Sequence, residues 1–249
     1  MGDDRRSVVR RFEQEAGAFA ESPVHRDPVR LQRLVAWAAP RGGERALDVA
    51  CGPGIVLRAL AATGAFVVGI DLTGAMLREA RGSGGALVAG DAAILPFADA
   101  AFDLVVMRNA THHIASPGPV FSECARVLRP GGRFVHEDMA AAEDLRERDF
   151  QETIERLRDS AHARTLPPSE TRGLVASAGL RLEREEVFLL SLDFDEWVDR
   201  PRPSAPARAR ARWLMERRQE KVVGSLRSWI EAGRLRFERP SLLLRAVRP

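Results

Sequence analysis

Between residues 46 and 139, short apolar runs alternate with helical stretches, and this rhythm limits what the chain can fold into more than any other feature. The runs ALDVA (46–50), FVVGI (66–70), ALVAG (86–90), FDLVVM (102–107) and RFVHEDM (133–139) are strand-length, partly β-branched and bounded by Gly, Pro or Asp. Helical pieces over 55–62, 74–81 and 117–128 lie between several of them, the last with Ser116 as N-cap and Pro117 as a pre-set first residue. Strand and helix alternating in this way predict an α/β fold with a parallel sheet covered on both faces and right-handed crossovers.

The flanks read differently. Residues 1–40 are helical, with Leu31, Leu34, Val35 and Ala38 on one face and Pro40, Gly42 and Gly43 as the stop. After residue 140 a polar helical stretch leads to a second helix, which Ser169 or Thr165 caps and Gly179 ends. Strand-like segments follow at 181–190 and 235–247, separated by a proline-rich break and an amphipathic run over 207–223. At about 150 residues per domain, 249 residues allow at most two, and the absence of a repeat or linker favours one. No stretch approaches the ~18 apolar residues of a membrane span. The charged start MGDDRRSVVRRFEQE has no apolar secretory segment, so a cytoplasmic protein is expected. Cys51 and Cys124 form no CxxC pair, which argues against a disulfide framework or a cysteine-rich metal site.

The formal net charge of +3 divides into +10 for residues 200–249 and −7 for the rest. Lys221 is the lone lysine among 38 basic residues, so the basic segment reflects a general arginine preference and reads as a solvated helical face. It is the only support for an RNA or protein substrate, and no aromatic stacking platform is interleaved with it. Tyrosine is absent, which removes the phenol from every catalytic scheme.

The first strand runs through Asp48, Ala50, Cys51, Gly52, Pro53 and Gly54 straight into a helix. Glycine there lets backbone approach a ligand where a Cβ would stand, and the helix N-terminus offers free N–H groups. The second strand ends in Asp71, where an α/β nucleotide site places an acid against ribose hydroxyls. Leu57 stands where a dinucleotide fingerprint requires Gly or Ala, which disfavours a pyrophosphate and makes an NAD oxidoreductase a poor reading. Asp91 ends the third strand, ahead of an apolar Leu95-Pro96-Phe97 segment suited to an adenine. An adenosine-bearing nucleoside at the carboxyl ends of the strands is the expectation.

Taken in order, ALDVACGPG, GIDLTGAMLREA, GDAAILPFADAAFDLV, NATHHI and ARVLRPGGRF resemble the successive motifs of class I S-adenosylmethionine-dependent methyltransferases, in the small-molecule, ubiquinone/menaquinone-biosynthesis-like branch. The resemblance covers about residues 44–139. More loosely, AFAESPVHRDP, RLRDSAHAR and FDEWVDR look like segments of bacterial members of that branch. It implies a Rossmann-like, mostly parallel sheet with an antiparallel last strand and helical insertions as lid. S-adenosyl-L-methionine is the implied cofactor and a small organic molecule the methyl acceptor, with in-line displacement at the methyl. Asp48, Ala50, Gly52 and Gly54 would face the methionine end, Asp71 and Leu72 the ribose, Asp91 and Ala92 the adenine, and Arg108 or Asn109 the sulfonium. Ala50 replaces the family's first glycine, and Phe19 stands where the family often has a tyrosine. On this reading residues 1–40 are a lid, 44–139 the cofactor-binding core, and 140–165 with 191–233 the acceptor cap. Alternatives are a protein of this fold that binds the cofactor without methylating, or an RNA or protein methyltransferase.

A sulfonium methyl is already electrophilic, so the protein mainly aligns a nucleophile and excludes water. For a hydroxyl acceptor a general base helps, and His112 and His113, directly after the fourth strand, are the candidates, although such a pair also serves to pack a turn. His136 and Asp138 share a strand face, with Glu137 opposite. A two-histidine, one-carboxylate metal site with His113 is a remote alternative, and no metal is expected. His25 could sit in the lid or on the surface, and His162 reads as a solvated helix residue. Cys51 reads as a space-filler. Trp197, Trp213 and Trp229 are either pocket or core residues.

Overall fold

The computed structural model describes residues 2–218 and 226–249, with side chains from Val8 onward; Lys221 and the end of the 207–223 run lie outside the described residues. Three helices come first: α1 (Gly2–Ala20), α2 (Pro23–Arg26) and α3 (Pro28–Ala38). Asp27 makes the break before α3. Its carboxylate accepts from the N–H groups of Val29 and Arg30 at 2.9 and 3.3 Å, and Pro28 pre-sets the first turn.

The alternating core follows as β1 (Arg45–Val49), α4 (Ile55–Ala61), β2 (Phe66–Asp71), α5 (Gly74–Glu79), β3 (Ala86–Ala89), β4 (Phe102–Arg108), α6 (Gly118–Val127) and β5 (Leu128–Met139). Then come α7 (Leu145–Arg158), α8 (Pro168–Ser177), β6 (Arg181–Asp193), α9 (Phe194–Val198), α10 (Ala205–Glu216), β7 (Arg227–Glu231) and β8 (Arg234–Val247). The sheet order is β3-β2-β1-β4-β5-β8-β6. The first five strands are parallel, and β8 runs antiparallel between β5 and β6, as the sequence led us to expect. Chain order reverses on either side of β1, so the crevice beyond the carboxyl ends of β1 and β4 is where this topology binds ligands.

Period-two alternation sends Leu47, Val49, Val105 and Met107 to one face, against Phe121 and Phe134, and Ala46, Leu104 and Val106 to the other, against Trp37, Val56 and Leu60. Each fully buried Leu or Phe contributes about 1.5–3 kcal/mol relative to exposure. Leu57 belongs to the second face, and its side chain fills space that two glycines leave. A Cβ on Gly69 would lie 2.4 Å from it, and one on Gly85 2.9 Å. The bulky residue that breaks the dinucleotide fingerprint is therefore accommodated by glycines elsewhere.

Several boundaries differ from the sequence reading. Pro117, not Ser116, precedes α6, with no side-chain cap. Neither Ser169 nor Thr165 caps α8; Pro167 holds that position, and Glu143 takes the Ser169 N–H at 2.9 Å and its hydroxyl at 2.6 Å. Strand β7 was not foreseen. It pairs with β8 through Ala232 and Gly233, both at positive φ, the conformation a two-residue hairpin requires. There β8 extends past the main sheet and carries a second core of Ile154, Phe194, Trp197, Met215, Leu235 and Phe237.

Candidate active site

The turn after β1 is built on three consecutive alternations into the left-handed region, at Ala50 (φ 54°), Gly52 (φ 52°) and Gly54 (φ 78°). For an alanine that conformation costs roughly 1–2 kcal/mol. Asp71, at the end of β2, clamps the turn from outside. One carboxylate oxygen accepts the Gly52 N–H and the other the Thr73 N–H, each at 2.8 Å. Burial raises its pKa, against the pull of those two donors.

A cavity of about 370 Å³ opens at this turn. Asp48, Ala50, Gly52, Asp71, Leu72, Asp91, Ala92, Arg108, Asn109 and His113 are on its wall. Gly54 and His112, both expected at the ligand, are not. A Cβ on Gly54 would lie 2.5 Å from Ser83 Oγ and 3.0 Å from the Ala80 methyl, so the missing side chain lets the end of α5 pack against the start of α4.

Asp48 is 2% exposed, and its Oδ2 has no hydrogen-bond partner. Burial, reinforced by Asp71, pushes its pKa up to about 8 despite the Leu57 N–H. Asp91 shapes the next loop by accepting the Ala93 N–H at 3.0 Å. Cys51 is buried beside both acids, which pushes its thiol pKa up and leaves it without nucleophilic character.

Arg108 ends β4 beside Glu137 of β5, its register partner. Its Nε donates to Glu137 at 3.3 Å, Nη1 to the His25 carbonyl at 2.9 Å, and Nη2 to nothing. Glu137 also receives Arg30 from α3. Arg108 therefore ties the N-terminal helices to the sheet at the cavity's edge. Asn109 is at φ 52°, with its N–H donating to the Glu137 carbonyl.

The two adjacent histidines diverge. His112 Nδ1–H donates to Asp138 at 2.6 Å, and the backbone N–H groups of Thr111 and Met139 also donate to that carboxylate, both at 2.7 Å. Burial opposes ionisation of Asp138, but the His112 ring and these donors hold its pKa well below the usual carboxylate range. His113 turns into the cavity. Its Nδ1 is 3.0 Å from the Ala161 carbonyl, an obligate acceptor, so the proton is on Nδ1 and Nε2 keeps a lone pair. Burial, then the His112 ring, hold its pKa well below 6.5 and the ring neutral. His136 bonds Thr111 Oγ1 at 2.8 Å, and Asp138 meets His112, not His113, so the three do not converge. No metal-ligating cluster is present among the described residues.

Two aromatic contacts bring α1 and α2 over the site. Phe12 meets His113 edge-on at 4.9 Å, and Phe19 stacks on His25 at 4.5 Å, placing His25 on the cavity wall. Arg11 pairs with Asp159, fastening α1 to the loop after α7. Ser160, Ala161, His162 and Ala163 of that loop complete the wall. His162 corrects the sequence reading: it is buried outside any helix, with Nε2 3.2 Å from Glu152. No residue of 191–233 lines the cavity among those described. Trp197 packs in the second core, and Trp213 is exposed between Arg210 and Arg217. Phe12 and His162 were missed; the Phe12, Ala16, Phe19 stripe on α1 was the available signal.

A glycine turn and three strand-end acids around a deep cavity at the sheet's switch point define a nucleoside-binding α/β enzyme. The family model described as a methyltransferase domain matches residues 47–136. The crystal structure of a Bacillus halodurans C-125 protein assigned as a methyltransferase is 31% identical, with a TM-score of 0.82 over 88% of this chain and 98% of that one. YcgJ of Bacillus subtilis, an uncharacterized methyltransferase, is 28% identical over 76% of this chain and 78% of its own length, and its crystal structure gives a TM-score of 0.81. A demethylmenaquinone methyltransferase of Corynebacterium kroppenstedtii is 39% identical over 38% of this chain and 41% of its own. The chain belongs to the class I, S-adenosylmethionine-dependent methyltransferase family. Solved proteins of this fold hold S-adenosylmethionine or its demethylated product.

Proposed function

We propose that this chain moves a methyl group from S-adenosylmethionine to a small organic acceptor, with His113 as the general base. The orphaned, buried Asp48 Oδ2 carries the reading, because a carboxyl held without a partner on a cavity wall fits an ammonium such as that of the methionine moiety. Asp71 would accept the ribose hydroxyls, and Asp91 with the Ala92 backbone would meet the adenine. When bound, the cofactor supplies an electrophilic methyl on a cationic sulfur. Leu72, Ile114 and Val120 exclude water from the wall. His113 Nε2 takes the acceptor's hydroxyl proton as the acceptor oxygen attacks, and Ala161 holds the ring in that tautomer.

A small acceptor is favoured over a nucleic acid by the state of the basic segment. Arg208 pairs with Asp195 and Asp199, Arg212 with Asp195 and Glu216, Arg234 with Asp193 and Glu196, and Arg245 with Glu183. Charge neutralised internally gives little purchase on phosphates. The test is calorimetric titration with S-adenosylhomocysteine, followed by transfer of labelled methyl into a metabolite extract. Heat of binding and a labelled small molecule are expected. No binding by folded protein would remove the reading, and binding without labelled product from any extract would favour a non-methylating protein.

A further inference from the structure

The carbonyl that holds His113 is itself held. Asp159, at the end of α7, folds back so that its Oδ1 accepts the Ala161 N–H at 2.8 Å, and its own carbonyl accepts the His162 N–H at 3.1 Å. A side chain closed on the backbone two residues ahead fixes such a turn. The His162 N–H and the Ala161 carbonyl belong to one planar peptide, so an N–H turned inward on Asp159 sends the carbonyl outward, to His113 Nδ1.

The turn also depends on α1. Asp159 is 4% exposed, and a carboxylate so buried needs a counter-charge. Arg11 Nη1 of α1 supplies it, donating to the same Oδ1 that holds Ala161. Arg158 is farther away, 4.0 Å from Oδ2, and is committed to Glu155 at 3.0 Å. The next residue of α1, Phe12, meets the His113 ring edge-on at 4.9 Å. Seating α1 thus closes the cavity wall and completes the support of the ring together. At the far end of the loop the N–H groups of Ala163 and Arg164 donate to the His112 carbonyl at 2.8 and 3.2 Å, which leaves Asp159 to fix the near end.

We propose that Asp159 is a positioning residue for the base: through Ala161 it sets the tautomer of His113, and Arg11 makes that setting conditional on α1 being seated. A neutral imidazole carries one ring proton, and the hydrogen bond made at one nitrogen decides where that proton sits. Without the Ala161 acceptor the proton is free to move to Nε2, and the lone pair that would take the methyl acceptor's proton is lost. The base role rests on the methyl-transfer reading; the tautomer does not.

The test reads the ring directly. The full chain, isotopically labelled at the nitrogens of its five histidines, is followed by long-range proton–nitrogen correlation NMR at about pH 7.5, where burial keeps His113 neutral. Its signals are assigned by their loss in His113→Ala. The wild type should show Nδ1 protonated and Nε2 bare. Asp159→Ala and Arg11→Met should each move the ring to the Nε2-protonated form or to a mixture. Asp159→Asn, whose amide oxygen still accepts the Ala161 N–H, should retain more of the Nδ1 form than Asp159→Ala. His112, bonded to Asp138 of β5, should keep its Nδ1–H signal throughout and so reports that each variant is folded. Should Asp159→Ala fail that check, Arg11→Met decides alone. Where labelled methyl is transferred, its rate should fall in proportion to the Nδ1-protonated fraction. A wild-type ring protonated on Nε2, or a His113 signal unchanged in the folded variants, overturns the proposal. Shifted tautomers in a chain that transfers no methyl keep the positioning of the ring and remove the methyl-transfer reading instead.

Discussion

The Nδ1–H of His113 donates to the carbonyl of Ala161, 3.0 Å away and 48 positions along the chain. One hydrogen bond thus couples the loop after β4 to the loop after α7 and settles which ring nitrogen faces the cavity.

Replacing His113 with Ala should lower kcat for a hydroxyl acceptor by about 10²–10⁴-fold while leaving S-adenosylhomocysteine affinity within a few-fold. The folded pKa lies below 6.5, so the base form persists as the pH falls past that value. The acid limb of kcat/KM should therefore appear below pH 6.5. A limb at or above 6.5, or an unchanged rate in the variant, would leave positioning as the only role of this ring.

Asp48 gives a proton-linked signature. A pKa near 8 means that the carboxyl is protonated at neutral pH and must lose that proton to pair with an ammonium. Around pH 7, calorimetric binding of S-adenosylhomocysteine should release a proton, read from the dependence of the heat on buffer ionisation enthalpy. Asp48→Asn should bind more weakly and show less release. The folded state also holds a proton that the unfolded chain has lost above about pH 3.9, so this group makes stability fall by about 1.4 kcal/mol per pH unit up to its folded value. Denaturant titrations should find Asp48→Asn gaining on the wild type as the pH rises from 5 to 8.

Glu137, 0% exposed, lies between Arg30 and Arg108. Glu137→Gln strands two buried guanidiniums and should cost about 3–5 kcal/mol, measured by urea unfolding. A cost under 1 kcal/mol would mean that water reaches the cluster.

Asp71 both clamps the turn and faces the cavity. In Asp71→Asn one acceptor oxygen becomes a donor and must oppose either the Gly52 or the Thr73 N–H. The variant also gives up the charge proposed to meet the ribose hydroxyls; a charge-assisted hydrogen bond to the ligand, about 1.5–3 kcal/mol, corresponds to a roughly 10–150-fold weaker affinity for S-adenosylhomocysteine by calorimetry.

The sequence by itself determined the α/β alternation, the glycine turn and the strand-end acids, because these depend on local spacing: period two in β1 and β4, positive φ at residues 50, 52 and 54, an acid at the last position of β2. Ten of the site residues named from it, from Asp48 to His113, meet at one cavity for that reason. Gly54 could not be separated from its neighbours, since what it makes room for, Ser83, is on another element. Likewise only the tertiary structure decided that His112 turns to Asp138 while His113 turns to Ala161, that His162 is buried against Glu152, and that Arg30 and Arg108 meet at Glu137. Partners far apart in the chain set burial, tautomer and charge balance, and a strand or helix period carries no information about which side chains will meet once the elements pack.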